Sequence, residues 1–587
     1  MPIVQLSDVG QGVNLDLTPD ELKAGLWSGA TNMRFVNGYA QRFNGIPRVF
    51  DATAITPYWL TAYVVPTKRY WVHAGTGKAY ADDGTARVEI TRLAEIAIAS
   101  ITNATTTATL TTSAAHGLTT GNSVTVYGAY PYAYNGTFTV TVTSPTEFTY
   151  TMASNPGGSA TTIGHLIGPG AAVVDFTGAR DDRWTGGVLG GVLVMNNGVD
   201  VPQYWAGSEK LRTLHGWSST WTAKILAPFK NYLLAFDVTK NGTRYPHMMK
   251  WSAAAVPGAI PHSWDSTDVT LDAGEVDIAE TPDLMVDALP LGDALIVYKE
   301  RSMYAVRYVG YPAIFAVQRL PGDSGMLFRG CGAMTPLGHV VLTAGDVVLN
   351  TGSGVQSIAD GIVRKFIFRN IDSTNYKRAF VTTNPQRNEV LVCFPETGSS
   401  DCNIAAVWNW KDKTWGIRSI GATNYGATGL IDEITSNSWD SDSESWDLDS
   451  TTWNESAYSP NEARLLFAQT SRIGAFDVSS SDDGTTPVTG TLERTGIWLD
   501  DPDVNKLLRG IRPRIDTTAG TAVSIQLGAS MTPSGAVDWG APIAFTPGVD
   551  IKADGFAQGR FLAIRLSCSA PWRMRSVGMD VVRTGGY

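Results

Sequence analysis

A chain of 587 residues exceeds what one hydrophobic core organises, so two to four domains are expected. A hydrophobic content of 43% against 17% charged residues excludes global disorder, and 60 glycines with abundant Thr, Tyr and Trp suit many short strands and turns. The net charge of −10 argues against a protein that grips nucleic acid through cationic patches, though not against a surface that DNA slides past.

The opening MPIVQLSDVG has neither a basic nor an apolar leader region, and no apolar run reaches membrane-spanning length. The expectation is a soluble product, cytoplasmic when made. Thr18-Pro19-Asp20-Glu21 predicts a short helix ended by Gly25: Thr18 caps, Pro19 takes the first helical position and Glu21 closes a capping box. NMRFVNGYAQRF then predicts a hairpin around Asn37-Gly38. Residues 1–50 read as an arm rather than a domain.

From Pro57 onward hairpins follow in series, at 69–84, 188–207, 230–252, 387–420 and 463–479, with two more between Leu291 and Asp372. In the central pair, Ala294 to Tyr298 is an apolar run, Tyr304, Val306 and Tyr308 alternate with their neighbours, and no helix-length pattern intervenes. A spacing of roughly 45 to 60 residues suits blades of about four strands. The expected class is all-β: a β-propeller body of six or seven blades over 51–96 and 167–488, although neither a WD dipeptide nor a kelch di-glycine recurs.

Two insertions interrupt that body. Residues 97–166 are Thr-rich and almost uncharged, with alternation from Thr137 to Val142 and turn signals at His116-Gly117-Leu118 and Thr120-Gly121-Asn122, so they read as a small β-barrel or sandwich. Residues 433–460 carry Trp439, Trp446 and Trp453 in an acidic loop, and one apolar residue in seven cannot form a coiled-coil seam. Asp440, Asp442, Glu444, Asp447 and Asp449 offer alternate oxygens for calcium but lack the EF-hand glycine and terminal Glu, and sugar stacking on the tryptophans is a further reading. Residues 489–587 alternate again, as AVSIQLGAS and RFLAIRLSCS, and predict a C-terminal β-sandwich.

No catalytic constellation stands out. His73, His116, His165, His215, His247, His262 and His339 never fall at ligand spacing, and there is no G-x-S-x-G, P-loop or sialidase Asp-box. Gly352-Ser353-Gly354 reads as a turn. Asp346, Asp360 and Asp372 are candidates to face a central channel, with turn capping as the plainer reading, and His339 suits a blade edge. Cys331, Cys393, Cys402 and Cys568 contain no C-x-x-C; Cys393 and Cys402 flank a loop and are able to face each other across a hairpin, but free thiols are expected. The chain is not read as an enzyme, and no cofactor or metal is assigned.

Several stretches, in order, resemble the tail nozzle proteins (tail tubular protein B) of short-tailed bacteriophages. They are GVNLDLTPDELKAGLWSGATNMRFVNGYAQRFNG, RYPHMMKWSAAAVPGAIPHSWD with Trp251-Ser252, Pro257-Gly258 and Trp264-Asp265, DALIVYKERSMYAVRYVG, VVLNTGSGVQSIADGIVRKFIF and VWNWKDKTWGIRSI. The resemblance covers nearly the whole chain outside 97–166. It implies a virion structural protein whose propeller bodies form a sixfold ring below the portal and adaptor, with tail fibres or spikes docking nearby. Genomic DNA would leave through the ring without specific binding, and an acidic lumen agrees with that. A second reading is a receptor- or glycan-binding propeller that contacts the host surface through the Thr-rich insert or the Trp loop.

Overall fold

The computed structural model describes residues 3–6, 8–430, 463–499 and 501–586. Regular structure among them is overwhelmingly antiparallel strand, with a single α-helix, Arg364–Asn370. The acidic Trp loop, with the calcium candidates Asp440, Asp442, Glu444, Asp447 and Asp449, lies outside the described residues. The chain divides into two compact units, Tyr58–Gly325 and a second made of Met1–Pro57 with Met326–Tyr587. That boundary falls inside the stretch expected as one body.

Unit Tyr58–Gly325 contains four four-stranded meanders. The first is Trp59–Val65, Lys68–Ala74, Ala79–Asp82 and Arg87–Glu89. The second is Thr185–Leu189, Val192–Asn196, Gln203–Trp205 and Arg212–Thr213. The third is Trp221–Phe229, Tyr232–Lys240, Thr243–Trp251 and Gly274–Asp277. The fourth is Met285–Leu291, Ala294–Lys299, Met303–Gly310 and Ile314–Arg319. Two-residue turns such as Asn241-Gly242 set the registers, pairing Lys240 with Thr243.

The second strand of each later meander in this unit opens on an apolar run, VLVM, YLLAF or ALIVY, because both its faces are covered there. Along Tyr232–Lys240, Leu234 and Phe236 pack with Leu295, Val297 and Tyr304 of the fourth sheet. Leu233 and Ala235 point the other way, to Val194 and Tyr204 of the second. Burying each such side chain contributes about 1.5–3 kcal/mol, so sheet-on-sheet packing rather than local propensity holds the series together.

Residues 98–167 form two sheets of their own, one of four strands and one of three, sharing a core of Ile101, Leu110, Val124, Phe148 and Tyr150. The alternation from Thr137 to Val142 does not mark one strand. Gly136–Thr139 pairs with Ser123–Tyr130, whereas Thr141–Ser144 pairs with Glu147–Thr151. Val140 is the pivot, bonded through its backbone to Gly121 and Asn122 with its side chain in the shared core, so the period survives while the partner changes.

In the other unit, Gly332–Thr335, Gly338–Leu342, Val347–Asn350 and Val355–Ser357 make a further meander. Phe380–Asn384, Glu389–Phe394, Cys402–Asn409 and Thr414–Gly429 open a 12-stranded sheet that continues through Met33–Val36 and Tyr39–Arg42 into Trp572–Gly586, Val504–Thr517 and Ala553–Gly559. Gly29–Thr31 joins the six-stranded sheet of Gly490–Ile497, Phe561–Cys568 and Val523–Ser530. Residues 489–587 therefore do not close a sandwich by themselves: both of their sheets incorporate strands from residues 3–42.

Two local expectations are corrected. Residues 18–25 are turns, not helix. Glu21 N donates to Thr18 O, but the Pro19 and Leu22 carbonyls accept from Arg494 Nη1 and Nη2, and so short a segment has no nucleation reserve to compete. Conversely, Arg364–Asn370 is helical inside the 291–372 stretch, where no helix-length pattern was expected. Its first-turn amides, Lys365 N and Phe366 N, donate to the Asp16 carboxylate, a cap from a distant segment. Asn37-Gly38 does form the hairpin turn, both residues having positive φ.

Candidate functional site

A large cavity lies within unit Tyr58–Gly325, where the inserted sheets meet the loop after the second meander and the loop between the last two strands of the third. It has a volume of about 1090 Å³ and is open to solvent. The insert contributes strands Ser123–Tyr130 and Thr162–Ile167; residues 213–221 and 262–271 form the opposite wall.

A partly buried polar cluster anchors this junction. Glu95 Oε1 accepts from Tyr127 Oη and, at 2.7 Å, from Thr213 Oγ1, while Glu95 Oε2 lies 2.9 Å from His165 Nδ1. Thr213 N donates to Tyr127 Oη at 3.2 Å, and Tyr204 Oη lies 2.7 Å from His215 Nε2. Gly128 permits the approach: its φ is +73°, and a Cβ there would stand 2.6 Å from the His215 ring.

Burial alone would raise the Glu95 carboxyl, but hydrogen bonds from His165, Tyr127 and Thr213 outweigh it and hold the group below its ordinary value. A carboxylate so held is ionised at neutral pH and unsuited to act as a general acid. Burial pushes Tyr204 up to about 12 and His215 down to about 3, so neither changes charge near neutrality. This cluster positions walls.

Aromatic surface faces the cavity. Tyr130, 37% exposed, stacks on His262 with centroids 4.6 Å apart, and Tyr132 meets Tyr130 edge-on at 5.3 Å. Trp217 and Trp264 are buried and perpendicular at 4.7 Å, with half-buried Trp221 beside Trp217. Trp217 Nε1 donates to Trp221 O at 2.9 Å, whereas Trp264 Nε1 meets no acceptor among the described residues. Asp265 and Asp268 sit on the outer lip. Hydrogen bonds from Thr267 and Thr270 hold these carboxyls below their ordinary range.

The unit holding both chain ends contains a buried ionic cluster. Arg34 lies 3.2 Å from Glu389 and 2.7 Å from Asp477, its guanidinium 4.3 Å from the Phe43 ring centre. Arg418 pairs with Asp482 at 2.8 Å and donates to Asn32 Oδ1. Burial pushes Glu389 up to about 7, and Arg34 only partly offsets it because Asp477 repels a second charge. The cluster joins residues 32–44 to residues 389–482.

Three of the seven histidines, His165, His215 and His262, come together around the cavity, drawn from segments with no spacing signal. No group of three or more His, Cys, Asp or Glu among the described residues has a metal-holding arrangement. His73 is buried in the first meander, His116 caps a turn of the insert by accepting from Leu118 N, and His339 is buried in Gly338–Leu342. Asp360 pairs with Arg364, Asp346 accepts from Val347 N, and Asp372 accepts from the amides of Thr374, Asn375 and, 26 residues on, Gly398. Gly352-Ser353-Gly354 is a turn closed by Thr351 N to Gly354 O. Cys331, Cys393, Cys402 and Cys568 are buried thiols outside any disulfide; Cys393 pairs in register with Ala405, not Cys402. No helix among the described residues is long and apolar enough to cross a membrane.

Fold and cavity together define an all-β protein of serial four-stranded antiparallel sheets with an aromatic groove beside an inserted pair of sheets. No protein-family profile matches the chain, and no curated protein matches it. Among solved structures, it is similar to Kluyvelomyces marxianus Hsv2 at 10% identity, covering 49% of this chain and 72% of that one with a TM-score of 0.25. Human WBSCR16 is similar at 9% identity, with coverage of 44% and 73% and a TM-score of 0.25. The endosialidase of phage phi92 is similar at 12% identity, with coverage of 57% and 52% and a TM-score of 0.20; the chain spans about half of that protein. Likenesses at this level carry no function to this chain.

Proposed function

We propose that the protein is a structural subunit of a short bacteriophage tail, a nozzle subunit whose copies form a ring, sixfold by resemblance, below the portal and adaptor. In this reading the successive four-stranded sheets are blades of a β-propeller with six or seven blades. Fibres or spikes dock nearby, and DNA leaves the particle through the ring without being held. The ordered sequence resemblance suggests the class.

The observation that carries assembly is apolar surface left open around the edge strand Ala553–Gly559: Val549 is 75% exposed, Ile551 78% and Phe556 77%. Large side chains so exposed and so close in sequence suit a subunit contact better than a free surface. The net charge of −10 agrees with a conduit that does not retain phosphate.

The test is negative-stain electron microscopy and mass measurement of the purified chain, alone and mixed with the portal and adaptor of the same phage. Rings of identical copies that cap the portal–adaptor complex are expected. A stable monomer that never joins that complex overturns the reading.

A further inference from the structure

We propose that the groove between the inserted sheets and the loops at 213–221 and 262–271 is a binding site for a neutral oligosaccharide. The inference does not rest on the nozzle reading. Its first support is shape: a cavity of about 1090 Å³ open to solvent is roomier than a single ion or monosaccharide requires and suits a short chain of sugar rings. Its second is the wall. Tyr130 offers a partly exposed ring already fixed by stacking on His262, and half-buried Trp221, held by Lys240 and Lys250 each 5.2 Å from its ring centre, offers a second aromatic edge. Flat, immobilised aromatic faces lose little freedom when the apolar face of a pyranose packs on them.

The third support is charge. The Glu95 carboxylate is engaged by three groups of the protein, and Arg92 is occupied by Asp200 at 3.6 Å and by the Phe176 ring. On the lip, Asp265 and Asp268 each use Oδ1 to hold a following threonine. Their second oxygens take no hydrogen bond from the described residues and are available to accept from sugar hydroxyls. With Arg92 engaged, Lys240 and Lys250 beside the Trp221 ring paired to Glu275 at 2.6 and 2.8 Å, and two carboxylates at the rim, the site attracts hydroxyl donors and repels phosphate, sialate and uronate. Nucleic acid and anionic polysaccharide are thereby disfavoured.

The structure also explains why the groove keeps its shape. The junction is pinned by the Glu95–Tyr127–Thr213 bonds, by Gly128 against His215 and by Thr162 Oγ1 donating to His262 O at 3.4 Å. Ligand rings therefore meet walls organised before binding.

The test uses the full-length protein on a glycan array that includes neutral glucans, mannans and chitohexaose alongside polysialic acid. Titration of the free neutral hits follows, read by tryptophan fluorescence. Binding of at least one neutral oligosaccharide and none of polysialic acid is expected. Tyr130→Ala and Asp268→Asn should each weaken it about tenfold, a change of about 1.4 kcal/mol, with circular dichroism and unfolding midpoint unchanged. Retention on immobilised polysaccharide compared with binding of the free hexasaccharide separates a surface glycan from a soluble sugar. Silence across the neutral array, preference for the anionic polymer, or binding indifferent to both substitutions overturns the proposal.

Discussion

Replacing Arg34 by methionine probes the ionic cluster that joins the hairpin at 33–42 to residues 389 and 477. Arg34, Glu389 and Asp477 are each at most 4% exposed, and Arg34 is the cation both carboxylates face at closest range. Methionine keeps most of the volume and the contact with Phe43 but leaves two buried carboxylates facing each other. Removing one partner of a buried ionic group costs about 3–5 kcal/mol. Arg387, at 3.6 Å from Asp477 and 47% exposed, softens the loss for Asp477 but is not paired with Glu389, so the middle of that range is expected.

In a unit this large each kcal/mol lowers the midpoint by about 1.5 °C, giving a fall of about 5–7 °C. The effect depends on pH in a definite direction. Glu389 already titrates at about 7, above its unfolded value. Without Arg34 it rises further, so folded Arg34→Met protein binds more protons than the unfolded chain, and stability falls as pH rises through that window. Urea unfolding followed by tryptophan fluorescence should show a larger deficit at pH 8 than at pH 5, and Glu389→Gln in the Arg34→Met background should recover at least half of it. A loss under about 1 kcal/mol, or one equal at both pH values, refutes the account.

Burial, assisted by Arg87, holds His73 down to about 3, with Asp82 and the Tyr80 ring beside it. The unfolded chain therefore binds a proton that the folded unit refuses, and stability present above about pH 6.5 is lost progressively towards pH 3, by up to about 4–5 kcal/mol. His73→Phe should flatten that slope in acid-unfolding curves, and an unchanged slope excludes His73 as its source. Trp264→Phe, which removes a buried donor with no acceptor among the described residues, should be neutral or stabilising by up to about 1 kcal/mol. Trp217→Phe, which orphans the Trp221 carbonyl, should cost about 1–2 kcal/mol, and calorimetry of the pair distinguishes them. Gly128→Ala combines a positive φ with a clash against His215 and should destabilise by about 1–3 kcal/mol, with earlier proteolysis at the ends of the insert; resistance equal to the parent contradicts the close packing. Ile551→Asp with Phe556→Asp should leave a folded monomer in light scattering if these residues form the subunit contact, and persistent rings would place that contact elsewhere.

What could be read from the chain was the part decided locally. Asn37-Gly38 makes its turn because the two residues tolerate positive φ, and the apolar runs at Ala294–Lys299 and Val347–Asn350 are strands covered on both faces. The all-β class follows from many such segments. The errors lie where a distant group decided. Residues 18–25 lose helix to Arg494, and Arg364–Asn370 gains it under Asp16, across separations that no periodicity encodes. The strands of 489–587 alternate as expected, but alternation identifies a face and not a partner, so recruitment of residues 3–42 was invisible. The groove was likewise hidden: Glu95, Tyr130, His165, Thr213 and His262 share no spacing. The only local hint was the aromatic turn Tyr130-Pro131-Tyr132, which a sequence reader assigns to core or surface with equal ease.

Ile3–Leu6 finds its partner in Trp572–Gly586, and Gly29–Thr31 finds its own in Gly490–Ile497. During translation these early segments leave the ribosome long before the strands that complete them, whereas everything in Tyr58–Gly325 can meet its neighbours as it emerges. Interrupted synthesis past residue 325 thus leaves one finished module tethered to strands with open edges, ready to pair with another nascent chain. Prompt completion of each polypeptide is a safeguard that this topology demands of the cell that makes it.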